Sequence, residues 1–208
     1  MIAEIIAVGS ELLTPFRQDT NSLYLTEKLN GLGVEVAFKS IVGDNLKDIV
    51  RVSTTALSRA DILIFSGGLG PTEDDLTREA VAETLGLKLR RDPELLQAIE
   101  RRFAEHGWKM SPNNVKQADV IAGATVLHNS NGTAPGQWIS GRSDRQEKII
   151  ILLPGPPFEL KALFESAVLE RLRARVPRQF IATRVLKITG MGESACSCPG
   201  RCCRNRSP

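Results

Sequence analysis

Histidine, aromatic residues and long apolar runs are scarce in this 208-residue sequence, and cysteine is confined to one end. His106 and His128 are the only histidines, and neither has a second ligand at a metal-binding spacing. The first 195 residues contain no cysteine. A disulfide-stapled body is thereby excluded. Ser-His-Asp and Cys-His catalysis are disfavoured, since there is no nucleophile elbow either. The longest aliphatic runs, Ile62 to Phe65 and Ile149 to Leu153, fall far short of the roughly 20 apolar residues of a membrane span. The N-terminus, MIAEIIAVGSELL, lacks a basic flank and does not read as a signal peptide. These absences lead us to expect a soluble cytoplasmic protein without a membrane partner.

Charge of one sign is also missing from the body. The net charge of +3 comes from Arg201, Arg204 and Arg206 in a terminal segment without acids, and the preceding 194 residues hold 24 basic and 24 acidic side chains. With one Tyr and two Trp, this neutral body offers neither the basic footprint nor the aromatic platforms of a nucleic-acid binder. The tail ACSCPGRCCRNRSP has a C-x-C-x-x-x-C-C pattern that is not a standard zinc spacing, and reads as disordered or out-of-frame sequence.

What is present is an alternation of strand-like and helix-like segments, the pattern of an α/β fold with a mainly parallel sheet. Strands are expected at Ile2 to Val8, Val34 to Val42 and Asp61 to Phe65. Helices are expected at Asn21 to Leu32, capped by Asp19 or Thr20, at Leu46 to Ser58, and from Leu76 to Gly86. Asp92-Pro93 opens a further helix that ends at His106-Gly107. Ser111-Pro112 leads into a loop-rich stretch. GQWISGRSDRQEKIIILL reads as an antiparallel strand pair on the sheet edge, and Phe158 to Val176 closes the domain. Residues 1–176 thus form one domain. FIATRVLKIT starts a second unit that 18 further residues cannot complete, so the chain looks truncated there.

The most informative segment is DILIFSGGLGPTEDDLTREAVAETLG. A buried strand feeds Gly67, Gly68 and Gly70, which let backbone N–H groups approach an anion ahead of a helix N-terminus. The segment reads as a phosphate or pterin-phosphate cradle; the plainer alternative is three glycines serving a tight turn. It is not a P-loop, for no Gly-Lys-Ser/Thr follows, and Glu73 breaks the dinucleotide fingerprint. Asp74 and Asp75 follow at once. One of them could cap the helix, but two carboxylates beside a phosphate need a cation between, which makes them candidate ligands of a hard divalent ion. Arg78, Glu79, Glu83 and Gly86 imitate part of a Nudix box but fail its spacing, and read as exposed charges on an amphipathic helix. Other candidates are Ser10 and Glu11 after the first strand, Asn21, Asp44 after Gly43, Asn129 with Gly132 to Gly136, and Pro154 with Gly155. Gly9, Gly43 and Pro154 end parallel-type strands as the glycine loop does, so these loops should converge on one sheet edge, where open α/β sheets bind ligands. Metal-assisted phosphoryl chemistry is the expected class.

GSELLTPFRQDTNSLYLTEKL, VGDN, FSGGLGPTEDDLTREAVA, NNVKQA, NGTAPG and LLPGPPFEL occur in that order over residues 1 to about 170. Through them the chain resembles the N-terminal domain of the competence/damage-inducible CinA family, related to Mog- and MoaB-like molybdopterin-binding domains. The resemblance implies a three-layer α/β/α fold and a metal-dependent ADP-ribose pyrophosphatase yielding AMP and ribose 5-phosphate, with Co²⁺ or Mg²⁺ and K⁺ as helper. It also implies a homo-oligomer, dimer or higher. On this reading Gly67 to Gly70 hold the pyrophosphate with Thr72 and Thr77 hydroxyls nearby, and Asp74 or Asp75 holds the metal. Glu11 and Asp44 are further candidates for metal shell or base. Asn21, Lys116, Asn129 and Thr133 are candidate ribose, base or phosphate contacts. The alternative is a module that binds a nucleotide or molybdopterin without turnover. Many family members add a KH-like connector, which residues 177–194 would begin, and a nicotinamide mononucleotide deamidase, which this sequence does not encode. The resemblance breaks at TPFRQDTN, where the family has a Gly-containing loop at the mouth of the pocket, and again in residues 195–208.

Overall fold

The computed structural model describes residues 1–143 and 146–177. The expected strand at 180–189, the connector start and the cysteine-rich tail lie outside the described residues.

Six strands form the central sheet in the order β2-β1-β3-β8-β7-β6. β1 (Ile2–Val8), β2 (Glu35–Val42), β3 (Ile62–Ser66) and β8 (Gln146–Leu153) run parallel, whereas β7 (Gly136–Ser143) and β6 (Thr125–Leu127) run antiparallel to their neighbours. The β7–β8 pair was expected at the sheet edge. β8 instead lies inside, paired to β3 on its other flank, and the three-residue β6 takes the outer position. The isoleucine-rich run of β8 explains this placement, because a strand covered on both faces needs no polar alternation.

That two-sided cover divides the core. Ile5, Ile62, Ile64, Ile149 and Ile151 point to one face, packing with α1 (Thr20–Gly31) and the C-terminal helices through Leu25, Leu29, Leu160 and Phe164. Their sequence neighbours Ile6, Leu63, Phe65, Ile150 and Leu152 point to the other, packing with α2 (Leu46–Arg59) and α3 (Thr77–Thr84) through Ile49, Ala56, Ala80 and Val81. The result is the three-layer α/β/α sandwich anticipated from the alternation of elements. Glu4, fully buried in β1, is satisfied by two hydrogen bonds from Arg59 and one from Ser40.

A smaller lobe carries α4 (Pro93–Glu105), the 3₁₀ turn Pro112–Ala118 and the short antiparallel pair β4 (Leu89–Arg91) and β5 (Asp119–Ile121), around Leu95, Ile99 and Ala118. The closing helix comprises α5 (Pro157–Leu163), a π-helical stretch at Phe164–Val168 and α6 (Leu169–Arg175). Among the described residues, no helix is long and apolar enough to cross a membrane.

Candidate functional site

β1, β2, β3 and β8 all end on the same sheet edge, and the loops after them meet there. They enclose an open cleft of about 870 Å³. Asn21, at the start of α1, ties the floor together: its Nδ2 donates to Ser66 Oγ at 2.9 Å and to Gly155 O at 2.8 Å. Ser10 and Asp44 clamp the first two loops to each other, Ser10 N donating to Asp44 Oδ2 (2.7 Å) and Asp44 N to Ser10 Oγ (3.0 Å).

The glycine loop forms one wall. Gly67 and Gly68 have φ of +102° and +67°, where side chains are disfavoured. A Cβ on Gly67 would fall on the Val8 carbonyl, and one on Gly68 on Thr77 Oγ1. Every carbonyl from Gly67 to Gly70 is turned back and held by α3. Gly67 O accepts from Thr77 Oγ1 (2.8 Å), Gly68 O from Thr77 N (3.2 Å), Leu69 O from Arg78 Nη1 (2.8 Å) and Gly70 O from Arg78 Nη2 (3.0 Å). The N–H groups of Gly68, Leu69 and Gly70 donate to no group among the described residues. Carbonyls held on one side and amides left uncommitted make a local excess of positive potential, the geometry that binds anions.

Twelve of the expected residues line this cleft: Glu11, Asn21, Asp44, Gly67, Gly68, Gly70, Thr72, Asp74, Asp75, Thr133, Pro154 and Gly155. Five do not, and each has another place. Ser10 is spent on the Asp44 clamp. Thr77 is fully buried beneath the loop. Lys116 braces the loop from outside, Nζ donating to Thr72 O (2.9 Å) and Asp75 O (2.7 Å) and pairing with Glu79. Asn129 shapes its own turn by donating to Ala134 O and Glu159 Oε2, and Gly132 packs where a side chain would meet that same carboxylate. Neither aspartate caps α3, whose N-cap is Leu76. Asp75 folds back on the loop, its Oδ2 accepting from Thr72 N (2.8 Å) and Thr72 Oγ1 (2.5 Å).

Arg78 is the residue that sequence reasoning misplaced. Expected as an exposed helix charge, it is fully buried. Burial pushes its guanidinium below the ordinary value, while Glu79, Asp75 and Asp119 pull the other way. A signal was present in the sequence: arginine at the second position of a helix that follows a glycine loop can reach back to that loop's carbonyls.

The charge of the cleft is acidic. Among the described residues, Glu11, Asp19, Asp44, Asp74, Asp75 and Glu159 line it against Arg17. Four of these carboxylates accept hydrogen bonds within the chain: Asp19 from Ser22, Asp44 from Ser10, Asp75 from Thr72 and Glu159 from Asn129. Among the described residues, none donates a hydrogen bond to the carboxylates of Glu11 and Asp74. Among the described residues no three or more acidic, His or Cys side chains gather closely enough to hold a metal. The donor set therefore suits a magnesium-type ion shared with a ligand's phosphates, which needs only one or two carboxylates, and does not suit an all-protein cage. Phe16, 89% exposed, stands at the rim beside Arg17.

These features of sheet, loop and cleft define a class, and comparison with known proteins agrees with it. The family described as "Probable molybdopterin binding domain" matches residues 4–174. A solved structure of CinA from Thermoplasma acidophilum, of unknown function, superposes with a TM-score of 0.72 at 32% identity, covering 83% of this chain and 97% of that one. The chain belongs to the CinA family. A CinA-like protein of Koribacter versatilis is 60% identical over 194 residues, 93% of this chain and 47% of that protein. The chain thus spans about half the length of the curated relatives it matches. MoaB from Pyrococcus furiosus, a tungsten cofactor synthesizing protein, shares the fold at 17% identity and a TM-score of 0.51, covering 83% of this chain and 95% of that one.

Proposed function

We propose that the cleft binds a phosphate-bearing small molecule of the nucleotide or pterin class. One observation carries this reading: the loop Gly67 to Gly70 has all four carbonyls bound from behind and three amides left for a ligand at a cleft wall. A neutral body and a concave site favour a small molecule over a polymer.

A second reading, hydrolysis of ADP-ribose to AMP and ribose 5-phosphate, is favoured by the six carboxylates around that anion-binding wall. Such a lining disfavours a bare pyrophosphate and favours one accompanied by a cation. Glu11 and Asp74, without hydrogen-bond donors among the described residues, would hold a divalent ion such as Mg²⁺ or Co²⁺ together with phosphate oxygens. When bound, the ion supplies charge neutralisation and a more acidic water. The chain's own part is to fix the phosphates against Gly68, Leu69 and Gly70 and to place the rest of the ligand over Asn21 and Thr133. A cytoplasmic location and assembly into a dimer or higher oligomer accompany this proposal, with K⁺ as a possible second ion.

Both readings are tested by incubating the protein with ADP-ribose, with and without Mg²⁺ or Co²⁺ and K⁺, while following AMP release and equilibrium binding. Metal-dependent AMP release is expected if the chain is a hydrolase. Binding without AMP leaves the module reading and overturns hydrolysis. Absence of both overturns the phosphate-site reading for this ligand.

A further inference from the structure

Arg78 is a cation in an expensive position. Its guanidinium is shielded from water, its two hydrogen bonds go to neutral carbonyls, and its Nε–H has no partner among the described residues. The carboxylates of Glu79, Asp75 and Asp119 act on it through space, and none accepts a hydrogen bond from it. A buried charge without a bonded counter-charge is costly to the fold. A neutral donor could brace two carbonyls at lower cost. Of the two peptide units that Arg78 grips, Leu69–Gly70 carries the uncommitted Gly70 N–H and Gly70–Pro71 has none, so its charge backs the cleft-lining loop through one amide-bearing peptide.

We propose that Arg78 is a positioning residue for phosphate: its buried charge, acting through the Leu69–Gly70 peptide, makes the wall selective for ligands carrying a pyrophosphate. This rests on the reading of the cleft as a phosphate site. The charge strengthens the peptide dipoles in a region of low dielectric, where through-space attraction is screened less than at the surface. It also locks the plane of the Leu69–Gly70 peptide, so the ligand meets the Gly70 amide already oriented. The ligand class is thereby narrowed to one whose anionic group sits at Gly68 to Gly70, with selectivity growing with the charge of that group.

The test compares wild-type protein with Arg78→Gln, which keeps an amide donor but removes the charge, and Arg78→Lys, which keeps the charge. Inorganic pyrophosphate and adenosine serve as probes in calorimetry, each with Mg²⁺ present. The expected result is a loss of about tenfold or more in pyrophosphate affinity for Arg78→Gln, substantial rescue in Arg78→Lys, and adenosine affinity unchanged in both. A general loosening of the loop would weaken both probes alike and would overturn the proposal, as would pyrophosphate binding to Arg78→Gln at the wild-type affinity. Should Arg78→Gln not fold, the wild-type protein carries the test by NMR. The Arg78 Nε–H resonance is expected to shift on saturation with pyrophosphate and not with adenosine, and a signal unmoved in a pyrophosphate-bound sample contradicts the assignment. Wild-type protein that binds no pyrophosphate refutes the phosphate site itself, a different result from either.

Discussion

Asp74 and Asp75 are adjacent in sequence and have different work to do. Asp75 accepts from the Thr72 amide and hydroxyl, so it closes the turn that carries the glycine loop into α3. Asp74 lines the cleft with no such bond. Asp75→Ala should therefore cost about 1–2 kcal/mol of stability, as the loss of two hydrogen bonds to a charged acceptor does. Asp74→Ala should stay within about 0.5 kcal/mol of wild type while weakening the dependence of ligand binding on Mg²⁺. Urea unfolding and metal-dependent ADP titration of the two variants check this; equal stability losses would contradict it. The sequence placed this dipeptide beside an expected anion cradle, but could not apportion roles within it. Roles depend on where each carboxylate turns, and a turn four residues long can send neighbours in opposite directions. The same limit explains Lys116 and Asn129, polar residues in the right neighbourhood whose side chains hold loops from outside the cleft. Arg78 was misread because helical periodicity reports on faces and is silent about a helix's first turn, where a side chain can fold back under the preceding loop.

At the scale of elements, the long periodic segments were legible and the short ones were not. β1, α1, α2 and α4 follow the expected limits within a residue or two, since each has a sustained pattern and each helix a cap; Asp19, Asn45 and Asp92 all accept from the first-turn amides of their helices. The three-residue strands β4, β5 and β6 escaped notice. Three residues cannot display a period of two, and their pairing is imposed by neighbours distant in sequence. The π-helical stretch in the closing helix was equally invisible. It presents Glu165 to α1, where Tyr24 Oη donates to it at 2.8 Å and Lys28 pairs with it. This latch has a pH signature. Hydrogen bonds from Lys28 and Tyr24 hold the Glu165 carboxyl below the usual range, so its contribution is present above the unfolded-state value and is lost as pH falls through the folded one. Burial, then the bond to Glu165, raises the Tyr24 hydroxyl above its ordinary value, so its contribution is full below pH 10 and fades as pH climbs beyond. Glu165 is 43% exposed, so solvent screening keeps the latch to about 1 kcal/mol or less. Tyr24→Phe should lower Tm by about 2–4 °C on the neutral plateau, with the difference from wild type narrowing in acid below the glutamate range and in strong alkali. A pH-independent difference would contradict the latch.

At the scale of the molecule, the sheet order makes the site. Four parallel strands ending on one edge bring together Gly9, Gly43, Gly67 and Pro154, residues spread over most of the domain, and this convergence could be anticipated because parallel strands must all point the same way. The position of the antiparallel pair could not, since strand order depends on which edge remains open once the crossovers are made. Three-layer packing leaves α3 as the backing of the glycine loop, and with it the two residues, Thr77 and Arg78, that bind all four loop carbonyls. This backed loop is the proposed phosphate site. Calorimetric titration of ADP with Mg²⁺ into wild-type protein and into Gly68→Ala tests it most directly, because a methyl group there collides with Thr77 Oγ1 without altering any charge in the cleft. One ADP per chain is expected for the wild type, with binding weakened beyond detection in a folded Gly68→Ala. Binding of equal strength in both proteins would contradict it.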